Sequence, residues 1–127
     1  MYCVVYGTHM NEIFGKYIRE RREALRENDS SYSLRQVAGR IGIEPSYLSK
    51  IERGIQTYLS EGKIIALAKD LNEDPDILLA LSGKISTDVQ EIIRKRPRLF
   101  TQLIRDLKNL PDHAVLRIVR EVRDGKW

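Results

Sequence analysis

The stretch Leu34-Arg35-Gln36-Val37-Ala38-Gly39-Arg40-Ile41-Gly42-Ile43-Glu44-Pro45-Ser46-Tyr47-Leu48-Ser49-Lys50-Ile51-Glu52-Arg53-Gly54 decides the fold. It reads as two short helices joined by a tight turn and crossing at a sharp angle. Ser33 caps the first, with Gln36 three residues on in capping-box register. That helix runs from Leu34 to Ile41 and is stopped by Gly42, which takes the positive φ a tight turn needs. Ile43-Glu44-Pro45 opens the second, Pro45 standing where a missing N–H is harmless. It extends to about Arg53, and Gly54 supplies the stop. Ala38 falls at the close approach of the two helices, so a larger side chain would push them apart. Val37, Ile43, Leu48 and Ile51 are the expected buried contacts. Pro45, Ser46, Ser49, Lys50 and Arg53 are left on the outer face of the second helix.

Working outward, Ile13, Phe14, Tyr17, Ile18 and Leu25 form the stripe of a preceding helix over 11–27, ended by Asn28-Asp29-Ser30-Ser31. Downstream, Ser60 caps a helix carrying Ile64, Ile65, Leu67, Ala68 and Leu71. Asn72-Glu73-Asp74-Pro75 is a turn, and a short helix follows through Ile77, Leu78, Leu79 and Leu81 to Ser82-Gly83. These five helices, 11–82, are spaced as one small bundle. In 83–127, Ser86 or Thr87 caps a helix with Val89, Ile92 and Ile93, which Pro97 interrupts. Leu99, Phe100, Leu103, Ile104 and Leu107 mark the next helix, and Val115, Ile118, Val119 and Val122 the last. Residues 1–10 read as an N-terminal extension, or as a short β-arm pairing with another subunit.

The composition is 42% hydrophobic and 31% charged, with no long alternating β-branched runs, so the expected class is all-α. The net charge of +4 permits nucleic-acid binding without requiring it. Its distribution says more. Residues 10–54 hold nine basic and seven acidic groups, 55–83 two and five, and 84–127 eleven and six. A DNA-facing surface therefore belongs to the ends. The single Cys3 excludes an intrachain disulfide and fits a reducing, cytoplasmic compartment. No apolar run approaches the ~18–20 residues of a membrane span, and Tyr2-Cys3-Val4-Val5-Tyr6 is too short for a secretory signal.

The pairs Val37-Ala38 and Gly42-Ile43, with the string from Ser46 to Gly54 ending Ile51-Glu52-Arg53-Gly54, resemble the Xre/Cro/C1-type helix-turn-helix family of transcriptional regulators. The resemblance covers about residues 11–82. It implies a five-helix lambda-repressor-like DNA-binding bundle, followed by a C-terminal extension of about three helices. It further implies that Pro45–Arg53 is a recognition helix for the major groove of double-stranded DNA. Family base-reading positions fall on Pro45, Ser46 and Lys50, with Ser49 close by. Pro45 lacks a side-chain donor, so Lys50 and Ser46 inherit direct readout, Lys50 suiting guanine O6/N7. Tyr47 is expected packed, or touching backbone through its hydroxyl. Where the family often has a Gln meeting phosphate, this chain has Leu34, so the contact passes to Ser33, Arg35 or a backbone N–H, or is lost; Gln36 lies beside them. Ile55-Gln56-Thr57-Tyr58-Leu59 replaces the usual Pro-rich link. Arg22 and Glu52 match a helix-to-helix ion pair of the family. As a partly exposed pair it would add only ~0–1 kcal/mol and act chiefly by orienting the recognition helix.

Other groups have plainer readings. Arg35, Arg40 and Arg53 divide between phosphate clamps and solvated surface. Arg94-Lys95-Arg96-Pro97-Arg98 reads first as a solvated helix junction and second as a contact to flanking phosphate. His9 and His113 stand without ligand-spaced partners, and Asp70, Asp74 and Asp76 look like cap and turn residues, so no metal or cofactor is expected. No nucleophile–base pair or phosphate-cradling loop indicates an enzyme. The tail stripes, Leu99, Phe100, Leu103, Ile104, Val115, Ile118, Val119 and Val122, suit a homodimer interface, with Ile77, Leu78 and Leu81 as the rival. The leading expectation is a dimeric repressor on an inverted repeat. The alternative is an adaptor or antitoxin-like module whose tail binds a protein partner, DNA binding being autoregulatory.

Overall fold

The structure is a computed structural model that describes residues 2–55 and 58–127, with side-chain surroundings from residue 11 onward. Among these residues every regular element is helical: α1 (Tyr2–Arg26), a 3-10 turn (Ser30–Tyr32), α2 (Leu34–Ile41), α3 (Pro45–Glu52), α4 (Glu61–Asp70), α5 (Pro75–Leu81), α6 (Thr87–Lys95), α7 (Pro97–Leu107) and α8 (Asp112–Asp124). They fall into two compact units, residues 1–86 and 87–127.

The core of the first unit draws on every one of its helices. Phe14 and Ile18 of α1 meet Val37, Ala38 and Ile41 of α2, Leu48 and Ile51 of α3, and Ile64, Leu67 and Leu71 of α4, with Leu78 and Leu79 of α5 closing it. Leu59, in the link before α4, is 3% exposed and joins this core. Apart from the small Ala38, each of these side chains is worth about 1.5–3 kcal/mol of burial.

Local chemistry sets the helix ends. The Ser33 hydroxyl accepts from the Gln36 N–H at 3.3 Å and starts α2. Gly42 ends α2 at φ 77°, and the Ile43 N–H returns to the Ala38 carbonyl at 3.0 Å. Lys63 of α4 adds a cap from outside, its ammonium donating to the Ile41 carbonyl at 2.9 Å and the Gly42 carbonyl at 3.3 Å. Pro45 occupies the first turn of α3. Ser60 caps α4 through the Lys63 N–H, and Asp74 caps α5 through the Asp76 N–H.

Several expectations change. The backbone of α1 is helical from Tyr2, which replaces the β-arm reading of the N-terminus. Ile13 is 41% exposed, off the buried stripe of α1. The polar run after α1 is not plain loop but the 3-10 turn, capped by Asp29 on the Ser31 N–H. Hydrogen bonds from the Ser31 side chain and, second, from its N–H hold the Asp29 carboxyl below its ordinary pKa. The capping box is half made: the Ser33 N–H donates to the Ser30 carbonyl instead, and the Gln36 amide nitrogen, turned inward, donates to the Ser30 and Ser31 carbonyls. Asp70 is an ion-pair partner of Arg40 rather than a cap. Ser86 does not cap α6; its hydroxyl has no hydrogen-bond partner among the described residues.

In the second unit α6 packs on α7, and none of the residues of α6, α7 or α8 is buried. Trp127 donates from its indole to the Val122 carbonyl at 3.3 Å while staying exposed.

The two glycines of the α2 region predict opposite responses. A Cβ on Gly39 would meet nothing within 4 Å, so Gly39→Ala should stabilise by about 0.5–1 kcal/mol. Gly42→Ala should destabilise by about 1–2 kcal/mol, because its left-handed backbone disfavours any side chain. Urea unfolding of both variants checks the pair, and midpoints moving in the same direction would contradict this account of the turn.

Candidate nucleic-acid interface

α3 is divided by the crossing into two faces. Leu48 and Ile51 point into the core with 0% and 2% exposure, fixing the helix against α1 and α2. Ser46, Lys50 and Arg53 are exposed, and Pro45, Tyr47 and Ser49 are half-buried at the margin. Arg35 and Gln36, at the start of α2, are exposed as well, and Ser33 is half-buried. Alternation of leucine and isoleucine with small or cationic residues at helical spacing is what presents this second face to solvent.

What holds α3 from behind is electrostatic. Arg22 of α1 and Glu52 of α3 form a bidentate pair, Nε to Oε2 at 2.7 Å and Nη2 to Oε1 at 2.9 Å. Both side chains are only 4% exposed. A third bond, from Arg22 Nη1 to the Tyr32 carbonyl at 3.2 Å, brings in the 3-10 turn. The hydrogen bond to Glu52 raises the Arg22 pKa above its ordinary value, against the opposing effect of burial. The pair is thus buried, not partly exposed as the sequence suggested, and a planar guanidinium fork is matched to a carboxylate.

α1 also approaches α3 through Gly15. A Cβ there would run into the Ile51 and Glu52 carbonyl oxygens, the latter at 2.9 Å. Sequence reading passed over Gly15; a glycine beside Phe14 inside an apolar helical stripe was the available signal.

Arg40, one of the expected phosphate clamps, is otherwise engaged. It chelates Asp70 at 2.6 and 3.0 Å, donates to the Ser31 carbonyl at 2.8 Å and lies over the Tyr32 ring. Its pKa is raised by the bond to Asp70. Arg21 and Glu73 pair at 3.0 Å, and Tyr17 donates to Glu73 at 3.1 Å, with burial first and then that bond raising the Tyr17 pKa. These contacts tie α1 and α2 to α4 and the turn after it.

The outer-face residues are held more lightly. The Tyr47 hydroxyl donates to the Tyr58 carbonyl, tying α3 to the link that follows. Arg53 Nε donates to the Ser49 carbonyl one turn back at 3.3 Å. Arg35 and Lys50 make no ion pair among the described residues, so both cations are free to meet an anion. A cleft of about 220 Å³ opens beside α3, lined by Arg19, Arg22, Glu23, Leu34, Ser49, Glu52 and Arg53. Leu34 is half-buried against the core.

Of the interface candidates elsewhere, Leu78 is fully buried, which withdraws it from any surface on α5 and leaves Ile77, at 47% exposure, as its exposed apolar residue. In the tail Leu99, Leu103, Ile104, Val119 and Val122 are exposed, whereas Phe100, Val115 and Ile118 are half-buried. No group of His, Cys, Asp or Glu among the described residues is arranged to hold a metal ion. No described helix is long and apolar enough to cross a membrane.

Comparison with known families gives one match: the family model described as "Helix-turn-helix" covers residues 18–78, from the buried Ile18 of α1 to Leu78 of α5. No curated protein and no solved structure matches the chain.

The buried pair makes its own prediction. Arg22→Ala leaves Glu52 charged and unpartnered and should cost about 3–5 kcal/mol. The double variant Arg22→Met with Glu52→Leu removes both charges and should lose far less. Denaturant unfolding of the single and double variants measures the difference, and equal losses would refute a coupled pair.

Proposed function

The matched segment is a helix-turn-helix domain of the Cro/C1 type, and on that premise we propose that the protein is a sequence-specific regulator of transcription, a repressor that binds as a homodimer to an inverted repeat. The DNA-binding domain in this reading is 11–82, preceded by an N-terminal extension, and 83–127 serves self-association. α3 enters the major groove and Lys50 and Ser46 read base edges, Lys50 by donating to guanine O6/N7. Ser49 and Tyr47 flank them, while Arg35, Arg53, Ser33 and Gln36 approach the phosphates on either side, and Pro45 fits the helix end into the groove. The single observation that carries this reading is the exposed face of α3. Lys50 is exposed and, among the described residues, makes no ion pair, on a helix whose other side is locked into the core and onto Arg22.

Dimerisation is supported by the apolar faces of α7 and α8, where Leu99 is 69% and Val122 62% exposed. Leu99, Phe100, Leu103 and Ile104, with Val115, Ile118, Val119 and Val122, form that interface in our reading. Two recognition helices ~34 Å apart would then meet successive half-sites one helical turn apart. Repression follows by occupying promoter DNA. We place the protein in the cytoplasm as a non-enzymatic regulator that needs no cofactor.

A second reading is favoured by the same apolar faces together with Leu34 standing where the family often has a Gln. The tail binds a different protein, as an antitoxin does, and DNA binding is autoregulatory. Sedimentation of the purified protein separates the two. A stable homodimer supports the first, and a monomer that forms a stoichiometric complex with a partner supports the second.

Selection of duplexes bound from a random pool should return an inverted repeat. Lys50→Ala should lower discrimination between the selected operator and scrambled duplex by about 1–3 kcal/mol, with smaller losses for Ser46→Ala. Equal affinity of the unmutated protein for operator and scrambled duplex would reject operator recognition.

A further inference from the structure

Charge is divided unevenly between the two units. Residues 1–86 hold twelve Lys and Arg against twelve Asp and Glu, whereas 87–127 hold ten against six. The whole formal charge of +4 therefore belongs to the tail unit, and the unit bearing the helix-turn-helix is neutral.

Pairing sharpens the contrast. In the first unit Lys16, Arg19, Arg21, Arg22 and Arg40 are all neutralised by carboxylates, and Lys63 is committed to carbonyls. In the tail unit all ten cations are exposed, and Arg94 pairs with Glu91 at 2.9 Å. Lys95, Arg96 and Arg98, at the junction of α6 and α7, make no ion pair among the described residues, nor do Arg117, Arg120 and Arg123 along α8.

Helical register separates these cations from the apolar stripes. Arg98 and Arg105 are seven residues apart, on the side of α7 opposite Leu103 and Leu107. Arg117 and Arg120 lie across α8 from Val115 and Val122. A surface crowded with like, unpaired cations lowers folded-state stability through self-repulsion, and a polyanion relieves it.

We propose that residues 87–127 form a second duplex-binding surface, which grips backbone phosphates without reading sequence and is centred on Lys95, Arg96 and Arg98. The helix-turn-helix unit, with no net charge of its own, takes little non-specific affinity from long-range electrostatics; the tail supplies it. Being joined to the same chain, the tail acts on the recognition unit through effective concentration, raising affinity for every duplex alike. The surface does not require that α3 read bases. Because Arg98, Arg105, Arg117 and Arg120 lie across their helices from those apolar residues, it is compatible with an apolar interface on the same helices.

The test uses the full-length chain. Lys95→Gln/Arg96→Gln/Arg98→Gln, and separately Arg117→Gln/Arg120→Gln/Arg123→Gln, are titrated by fluorescence anisotropy onto operator and scrambled duplexes over a range of salt concentrations. Circular dichroism monitors helicity. The junction variant should flatten the log–log salt slope by about 2–3 and weaken both duplexes by the same factor, roughly tenfold to a hundredfold, with the operator preference unchanged. Lys95→Arg with Arg96→Lys and Arg98→Lys keeps the charge and should restore binding. The α8 variant should show a smaller, parallel loss and decides the matter if the junction variant does not fold. An unchanged slope and affinity would overturn the proposal. So would tail-dependent binding to anionic phospholipid vesicles in place of duplex. Lys50→Ala distinguishes the two ideas: if it fails to change operator preference while the junction variant flattens the slope, groove reading fails and the tail surface stands.

Discussion

A guanidinium taken out of water must exchange its hydration for protein acceptors, and Arg22 does so with two oxygens of Glu52 and the carbonyl of Tyr32. The three groups come from α1, α3 and the 3-10 turn, so meeting the electrostatic requirement fixes the relative position of three elements at once. An apolar contact can slide at small cost, whereas a bidentate fork cannot. Gly15 brings the helices close enough for the fork to reach, and Ala38 lets α2 nest beneath. The outer face of α3 is accordingly presented in one orientation.

This division of labour explains why the polar network lies behind α3 and around α2 rather than on the exposed side. Arg40 with Asp70, Arg21 with Glu73 and Lys63 on the end of α2 all lock the scaffold. Lys50 and Arg35 are left without such partners among the described residues. A cation kept free of intramolecular carboxylates has no bond to break before meeting phosphate or base, and its affinity for an anion is correspondingly undiminished.

Much of the architecture was legible because short-range signals coincide with tertiary ones. Ser33, Gly42, Pro45, Ser60 and Pro75 all stand at helix ends, where capping and backbone chemistry are local. The Arg22–Glu52 pairing was legible only through a resemblance, and its burial was not, because burial depends on how α1 lies over α3. Arg40 looked like a surface cation for the same reason: Asp70 is thirty residues away, and nothing local marks it as the partner. Gln36 seemed to complete a capping box, but the preceding 3-10 turn satisfied the Ser33 N–H first. The start of α1 was misjudged because its apolar periodicity begins at Phe14, well inside the helix. Side-chain register told which tail residues share a face, but not what covers the apolar ones.

The link between α3 and α4 has an unusual constraint on its length. Leu59 is inserted in the core and the next residue, Ser60, is the cap of α4, so a buried anchor and a helix start are consecutive. An extra residue placed between them would have to pull the leucine out of its socket or unwind the first turn. Protein engineers seeking a permissive site for a fluorophore loop or a permuted terminus should therefore avoid this seam. The exposed connector at Asn109–Pro111, which carries no buried side chain, can be lengthened without disturbing either neighbouring helix's apolar contacts.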